Sequence, residues 1–219
     1  MLDYATQAHR LLPLLATSYC WQFTGDVMTA RLHALENAIR DGDPRVGKML
    51  RAAHASFSGL KSLTSMIAAD GMEECRRACG GAGFLKASGI PELLTAYLQN
   101  VTVEGDNHML PAQVVGILLK ELRAARGEGA AAGAAATGDA AYLASSLARG
   151  AQWSARGGSG AGGVRSAGVL IEAYTHRALR LLEGVAELLR ASESAGASAA
   201  AAWNGALIEM SRASRGECI

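Results

Sequence analysis

The 219-residue sequence predicts an all-α protein: a helical bundle, a flexible connection and part of a second bundle. Three observations carry that prediction. Apolar residues recur at helical spacing through residues 1–126, and the same spacing returns over 168–219. Between them, residues 127–167 turn to Gly, Ala and Ser in "GEGAAAGAAATGDAA" and "ARGGSGAGG", which bury little per residue and read as a linker or insertion.

Residues 3–40 place Leu11, Leu14, Leu15, Tyr19 and Phe23 on one expected core face, with Pro13 as a kink or an early turn. "DGDP" at 41–44 breaks the chain, and a second helix is expected over about 45–79. Its stripe is Leu60, Leu63, Met66 and Ile67. Arg76 and Arg77 suit a helix C-terminus, where carbonyls present partial negative charge. "CGGAGF" then stops the helix, because glycine tolerates the dihedrals of a helix stop. Pro91 begins a short helix, and "NVTVEGDN" is too short and punctuated for a strand. Asp106 or Asn107 is placed to cap a third helix, with Pro111 in its first turn. In 127–167, Trp153 is the side chain best able to dock. Beyond the linker, "GVLIEAYTHRALRLLEGVAELLRA" and "SAAAAWNGALIEMSRASRGE" each read as one amphipathic helix, too few for a complete core.

Half of the residues are apolar but only 5% aromatic, so the core is expected from Leu, Ala, Val, Ile and Met. Twenty-one basic and 20 acidic residues nearly cancel, which argues against nucleic acid or an anionic membrane surface as a partner. No apolar run reaches the roughly 20 residues of a membrane span, and the opening residues have no signal-peptide pattern. Cys20, Cys75, Cys79 and Cys218 are too sparse for a disulfide framework, and no partner ligands accompany Cys75 and Cys79 for a metal site.

Two features invite chemistry. Gly80 and Gly81 would let a ligand approach the backbone, with Arg76 and Arg77 beside them for an anion such as a pyrophosphate. Read alone, they are first a helix stop with a tight turn. Glu104 follows Val101, Thr102 and Val103, and Gly105 follows it; apolar flanks would raise its pKa and suit it to accept a proton near neutrality. Read alone, by residue type, it is first a surface acid ahead of a helix cap, and the pattern permits a base without demanding one.

The stretch "SGLKSLTSMIAADGMEECRRACGGAGFLKASGIPELLTAYLQNVTVEGDN" closely resembles the acyl-CoA oxidases, flavoenzymes of peroxisomal fatty-acid β-oxidation. The family's "GLK", "EECRxxCGGxG", "SGLPEL", "EGDN" or "EGEN", and "LLK" pieces all occur here in order, the last within "GILLK" at 116–120. "LDYATQAHRLLPLLATSY" and "EAYTHRALRLLE" extend the likeness to nearly the whole chain outside the Gly/Ala tract.

The resemblance implies FAD as cofactor, a fatty acyl-CoA and molecular oxygen as substrates, a homodimer and a peroxisomal location. It implies that Glu104 is the catalytic base taking the proton α to the thioester while the β-hydrogen leaves as hydride to the flavin. The Glu104 backbone N–H would help hold the thioester carbonyl, and Gly105 would let the chain pass beside the acyl group. Gly80 and Gly81 match the turn that approaches the FAD diphosphate, and Asp106 and Asn107 match the cofactor edge. Ala82 and Phe84 stand where the family commonly has His and Tyr, and His108 where it often has Thr. His9, His33, His54, His108 and His176 read as structural or surface residues. Family members also carry an N-terminal helical domain and a β-domain around the flavin, so the expectation is a truncated, weakly active or inactive chain. The rival readings are an acyl-CoA dehydrogenase, against which "EGDN" and the second helical unit argue, and a non-catalytic helical dimerisation remnant.

Overall fold

The computed structural model describes residues 3–128, 141–148 and 166–217. Every regular element among them is helical, as the sequence predicts. Contacts divide the chain into two units, Met1–Val46 with Leu60–Asn107, and Gly47–Gly59 with His108–Ile219.

The first unit is built on one long helix and on the part of a second that runs from Leu60. Helix α1, Ala5–Arg40, runs through Pro13, which stands inside it without ending it. Gly42, at φ +66°, turns the chain. Asp43 then accepts hydrogen bonds from the Arg45 backbone N–H at 2.7 Å and the Arg45 guanidinium, again at 2.7 Å. These bonds hold the Asp43 carboxyl at about 2, well below the usual carboxylate range. Helix α2, Val46–Ala78, leads away from that turn. Gln7 donates to the Ala78 carbonyl at 2.9 Å, Arg10 pairs with Glu74, and Leu14 lies 3.2 Å from the position a Cβ on Gly71 would take. Contacts advancing along α1 and retreating along α2 define an antiparallel pair.

The faces differ from the expected ones. On α2, Leu60, Leu63, Met66 and Ile67 are only half-buried, while Ser62, Ser65 and Ala69 are buried. Small residues at that spacing give a narrow surface for neighbouring backbone. On α1, Leu11 and Leu14 are half-buried, but Leu15, Tyr19 and Phe23 are exposed. A two-helix pair covers one side of each helix, so an apolar band wider than that side extends beyond its partner.

After α2, the chain makes 3-10 turns at Gly80–Phe84 and Lys86–Ser88. Helix α3 follows at Ile90–Tyr97 with Pro91 in its first turn, then a 3-10 turn at Leu98–Val101.

The second unit holds helix α4, Leu110–Ala125, which begins one residue after Met109 with no side-chain cap. The expected cap by Asp106 or Asn107 is therefore not made; Asn107 is engaged elsewhere, as described below. Pro111 does occupy the first turn, where its missing N–H costs nothing. Helix α5, Ala141–Ala148, lies inside the stretch read as a linker, and its Leu143 is fully buried. Trp153 lies outside the described residues. Ser166 caps helix α6, Ala167–Ser194, by accepting from the Val169 N–H. The final predicted helix is two: α7, Ala199–Gly205, capped by Ser198, and α8, Leu207–Glu217, separated at Ala206 after Asn204 and Gly205.

These helices share one apolar core, drawn from Val115 and Leu122 of α4, Leu143 of α5, Leu179 and Leu182 of α6 and Met210 of α8. Trp203 packs so closely on Gly116 that an added Cβ would lie 3.2 Å from its ring. Arg126, just past α4, donates to Glu183 of α6 at 2.5 Å. The expected boundaries at 126 and 168 thus fall inside one unit. The α6–α8 segment shares its core with α4 and α5.

Candidate active site

Glu104 lies in the turn between Val101 and α4, and it is the one non-glycine residue with positive φ, +59°, among the described residues. A side chain in the left-handed region costs about 1–3 kcal/mol and persists only where its surroundings over-determine it. Gly105 follows at φ +103°, a conformation that suits a residue without Cβ. Glu104 and Gly105 are both exposed, and so is the flanking Val103. The apolar flanks therefore do not bury the acid within this chain, contrary to the expected desolvation.

The support for this turn comes from α2. The Asn107 N–H donates to the Val101 carbonyl at 3.1 Å, closing the segment 102–106 into a loop. Asn107 is only 5% exposed. Its Nδ2 donates to the Ser62 carbonyl at 3.1 Å and to Ser65 Oγ at 2.8 Å. Ser62 Oγ returns a bond to the Asn107 carbonyl at 3.1 Å. Lys61 Nζ donates to the Gly105 carbonyl at 2.5 Å and to Asn107 Oδ1 at 3.0 Å. A buried amide with all its side-chain hydrogen-bonding atoms satisfied fixes a unique backbone geometry. Asn107, expected at a cofactor edge, is here turned inward as an anchor, and Asp106 beside it is half-buried. The four residues Glu104, Gly105, Asp106 and Asn107 thus form one pinned loop. Lys61, Ser62 and Ser65 were not among the sequence candidates; helical spacing puts them near one another, but only the fold brings them to a loop more than forty positions away.

Gly80 and Gly81 form a separate feature. Gly80 has φ +61°, so it is glycine for conformational reasons. A Cβ on Gly81 would meet nothing within 4 Å, and its backbone is exposed. Gly83 is different again: a Cβ there would lie 2.1 Å from the Arg76 carbonyl oxygen. The arginines are not idle. Arg76 makes a two-point bond to Glu73 at 2.6 and 2.7 Å, and Arg77 Nε donates to the same carboxylate at 2.8 Å. The bonds from Arg76 and then Arg77 hold the Glu73 carboxyl down at about 2. Arg76, with Nε and one terminal nitrogen bonded to Glu73, makes a helix-end ion pair in this chain.

An open cavity of about 460 Å³ beside Leu14, Ile67, Asp70, Glu73 and Arg77 includes none of Gly80, Gly81, Glu104, Gly105, Asp106 and Asn107. Among the described residues Cys20, Cys75 and Cys79 are free thiols, and no helix is long and apolar enough to cross a membrane.

The family model for the acyl-CoA oxidase C-alpha1 domain matches residues 1–119. A human protein, peroxisomal acyl-coenzyme A oxidase 1, is 33% identical over all of this chain, which spans 32% of that protein's length. The structure of Arabidopsis thaliana acyl-CoA oxidase 1 superposes with a TM-score of 0.82 at 32% identity, over 99% of this chain and 31% of that one. Acyl-CoA oxidase-1 of Caenorhabditis elegans, solved with FAD and ATP, superposes with a TM-score of 0.83 at 26% identity, again over 99% of this chain and 31% of that one. The chain therefore spans about a third of the length of the relatives it matches, and within that span, from α1 through the loop that bears Glu104, it belongs to the acyl-CoA oxidase family.

Proposed function

We propose that the protein carrying this chain is an FAD-dependent oxidase of fatty acyl-CoA, acting in peroxisomal β-oxidation, with Glu104 as its base. The observation that carries the reading is a carboxylate presented outward from a left-handed turn, on a loop pinned from behind by buried polar groups. An acid needs no such support to be soluble; it needs it to be aimed.

In this reading Glu104 accepts the proton from the carbon α to the thioester. Its backbone N–H holds the thioester carbonyl oxygen, so negative charge developing there meets a fixed donor. Gly105, without a side chain, lets the acyl chain lie close to the loop. Removal of the α-proton and of a β-hydride leaves a trans-2-enoyl-CoA. FAD, when bound, supplies the acceptor for that hydride and passes the electron pair to oxygen, giving hydrogen peroxide.

The residues present fit one edge of such a cofactor. The Gly81 backbone is exposed, and nothing among the described residues requires that position to be glycine, which suits close approach of a diphosphate. Gly80 shapes the turn, while Asp106 stands beside the base loop. In the Caenorhabditis elegans relative, FAD is present in the solved complex. The same reading takes a second copy of the protein as partner across the glycine turn.

The test is to supply FAD and a long-chain acyl-CoA, then follow flavin absorbance and peroxide. Glu104→Gln keeps the shape and removes the base, so turnover falls by about 100-fold or more. Undiminished peroxide from Glu104→Gln would overturn the assignment. A stable protein that binds neither FAD nor acyl-CoA would instead favour a non-catalytic helical role.

A further inference from the structure

We infer that Lys61 is a positioning residue for Glu104, its ammonium locking the Gly105 carbonyl and so the direction in which the acid points; the inference rests on the reading of Glu104 as base.

Gly105 is the joint in this loop. It has no Cβ and sits at φ +103°, so its peptide planes turn more easily than those on either side. The adjoining Glu104 is held at a φ that an ordinary side chain leaves when it can. Three bonds from Asn107 fix the end of the loop: its N–H to Val101, and its Nδ2 to Ser62 and Ser65. None of them reaches Gly105. Lys61 alone among the described residues supplies that contact from α2, through the 2.5 Å bond to the Gly105 carbonyl. The same ammonium bonds Asn107 Oδ1 at 3.0 Å, tying the joint to the anchor.

The chemistry of the head group suits the task. An ammonium offers three rotatable donors from one small atom, enough for two acceptors of different orientation. Lys61 is half-buried, so its stem is confined while its head reaches the loop. Lys61, Ser62 and Ser65 lie within two turns of helix α2, so the strut and the Asn107 anchor share one reference element. Lys61 bonds the loop at the Gly105 carbonyl and at Asn107 Oδ1, and acts on Glu104 through the backbone that joins them.

Lys61→Met keeps the stem and deletes the donors. Two readouts separate the lock from the reaction it serves. In the 219-residue chain alone, amide hydrogen exchange over 102–107 should rise by about tenfold or more while the α4 amides stay protected. In the FAD-loaded protein, kcat should fall by about 30-fold with KM for acyl-CoA changed by less than about threefold, because the loss is one of aim and not of binding. Lys61→Arg, which retains donors at similar reach, should recover most of the protection and part of kcat. Unchanged exchange in Lys61→Met would overturn the lock, whatever the reaction proves to be. Raised exchange together with a fully active Glu104→Gln would keep the lock and sink the assignment of the base. Raised exchange with unchanged kcat in an enzyme that needs Glu104 would overturn the positioning role.

Discussion

Gly81 and Gly83 stand two positions apart in one turn, yet the structure asks different things of them. A Cβ on Gly83 would sit 2.1 Å from the Arg76 carbonyl oxygen, inside any tolerable contact, and backbone cannot swing aside as a side chain can. Gly83→Ala should therefore lower stability by about 1–3 kcal/mol, the usual cost of overpacking. Gly81 has open space around the same position and no positive φ, so Gly81→Ala should leave the unfolding midpoint of the chain unchanged. If the backbone at 81 approaches the FAD diphosphate, that substitution instead weakens FAD binding. Denaturant melts of both variants, with a flavin titration of the second, separate a glycine kept for the fold from one kept for a ligand. A destabilised Gly81→Ala would remove the structural argument that this turn is open for a cofactor.

The sequence showed most of the helices, since 3.6-residue spacing and the Gly, Pro and Asp breaks are local signals: α1, α2, α3, α4 and α6 begin and end close to where those signals put them. It missed α5 because Ala141–Ala148 is short, alanine-rich and set among glycines, and only burial of Leu143 in a core made by distant helices justifies it. Tertiary packing here overrides a weak local pattern. The site divides in the same way. Glu104 and the glycines are visible as unusual residues in unusual places, whereas the Lys61–Asn107–Ser65 network exists only once α2 lies behind the loop. Helix α5 also carries an irregularity: Ser146 Oγ is buried and has no hydrogen-bond partner among the described residues. An unmet hydroxyl costs about 1–3 kcal/mol, so Ser146→Ala should stabilise the second unit by about 1 kcal/mol. Urea unfolding of the two proteins measures it. A lower midpoint for Ser146→Ala would mean that the hydroxyl is satisfied and that α5 packs differently.

At the scale of the chain, the most consequential feature is an apolar face without cover. Leu12, Leu15, Tyr19, Phe23 and Val27 follow one another along α1 at helical spacing and are 50%, 54%, 61%, 66% and 50% exposed. Single exposed apolar residues are ordinary, but five in one stripe make a contiguous patch of the kind soluble monomers seldom display. The near-neutral net charge of +1 adds little repulsion between copies. The isolated 219-residue chain should therefore self-associate as its concentration rises. Replacing Tyr19 and Phe23 together by Gln breaks the stripe at its two most exposed positions without changing charge. Because neither side chain is buried in the chain, the melting midpoint should shift little, each exposed substitution being worth about 0.5 kcal/mol or less. Sedimentation velocity over a tenfold concentration range, paired with binding of a hydrophobic dye, reads both effects. Association and dye binding should fall together in the double variant. Association that persists at full strength would place the sticky surface elsewhere, and a large drop in midpoint would show that these rings already pack against the protein.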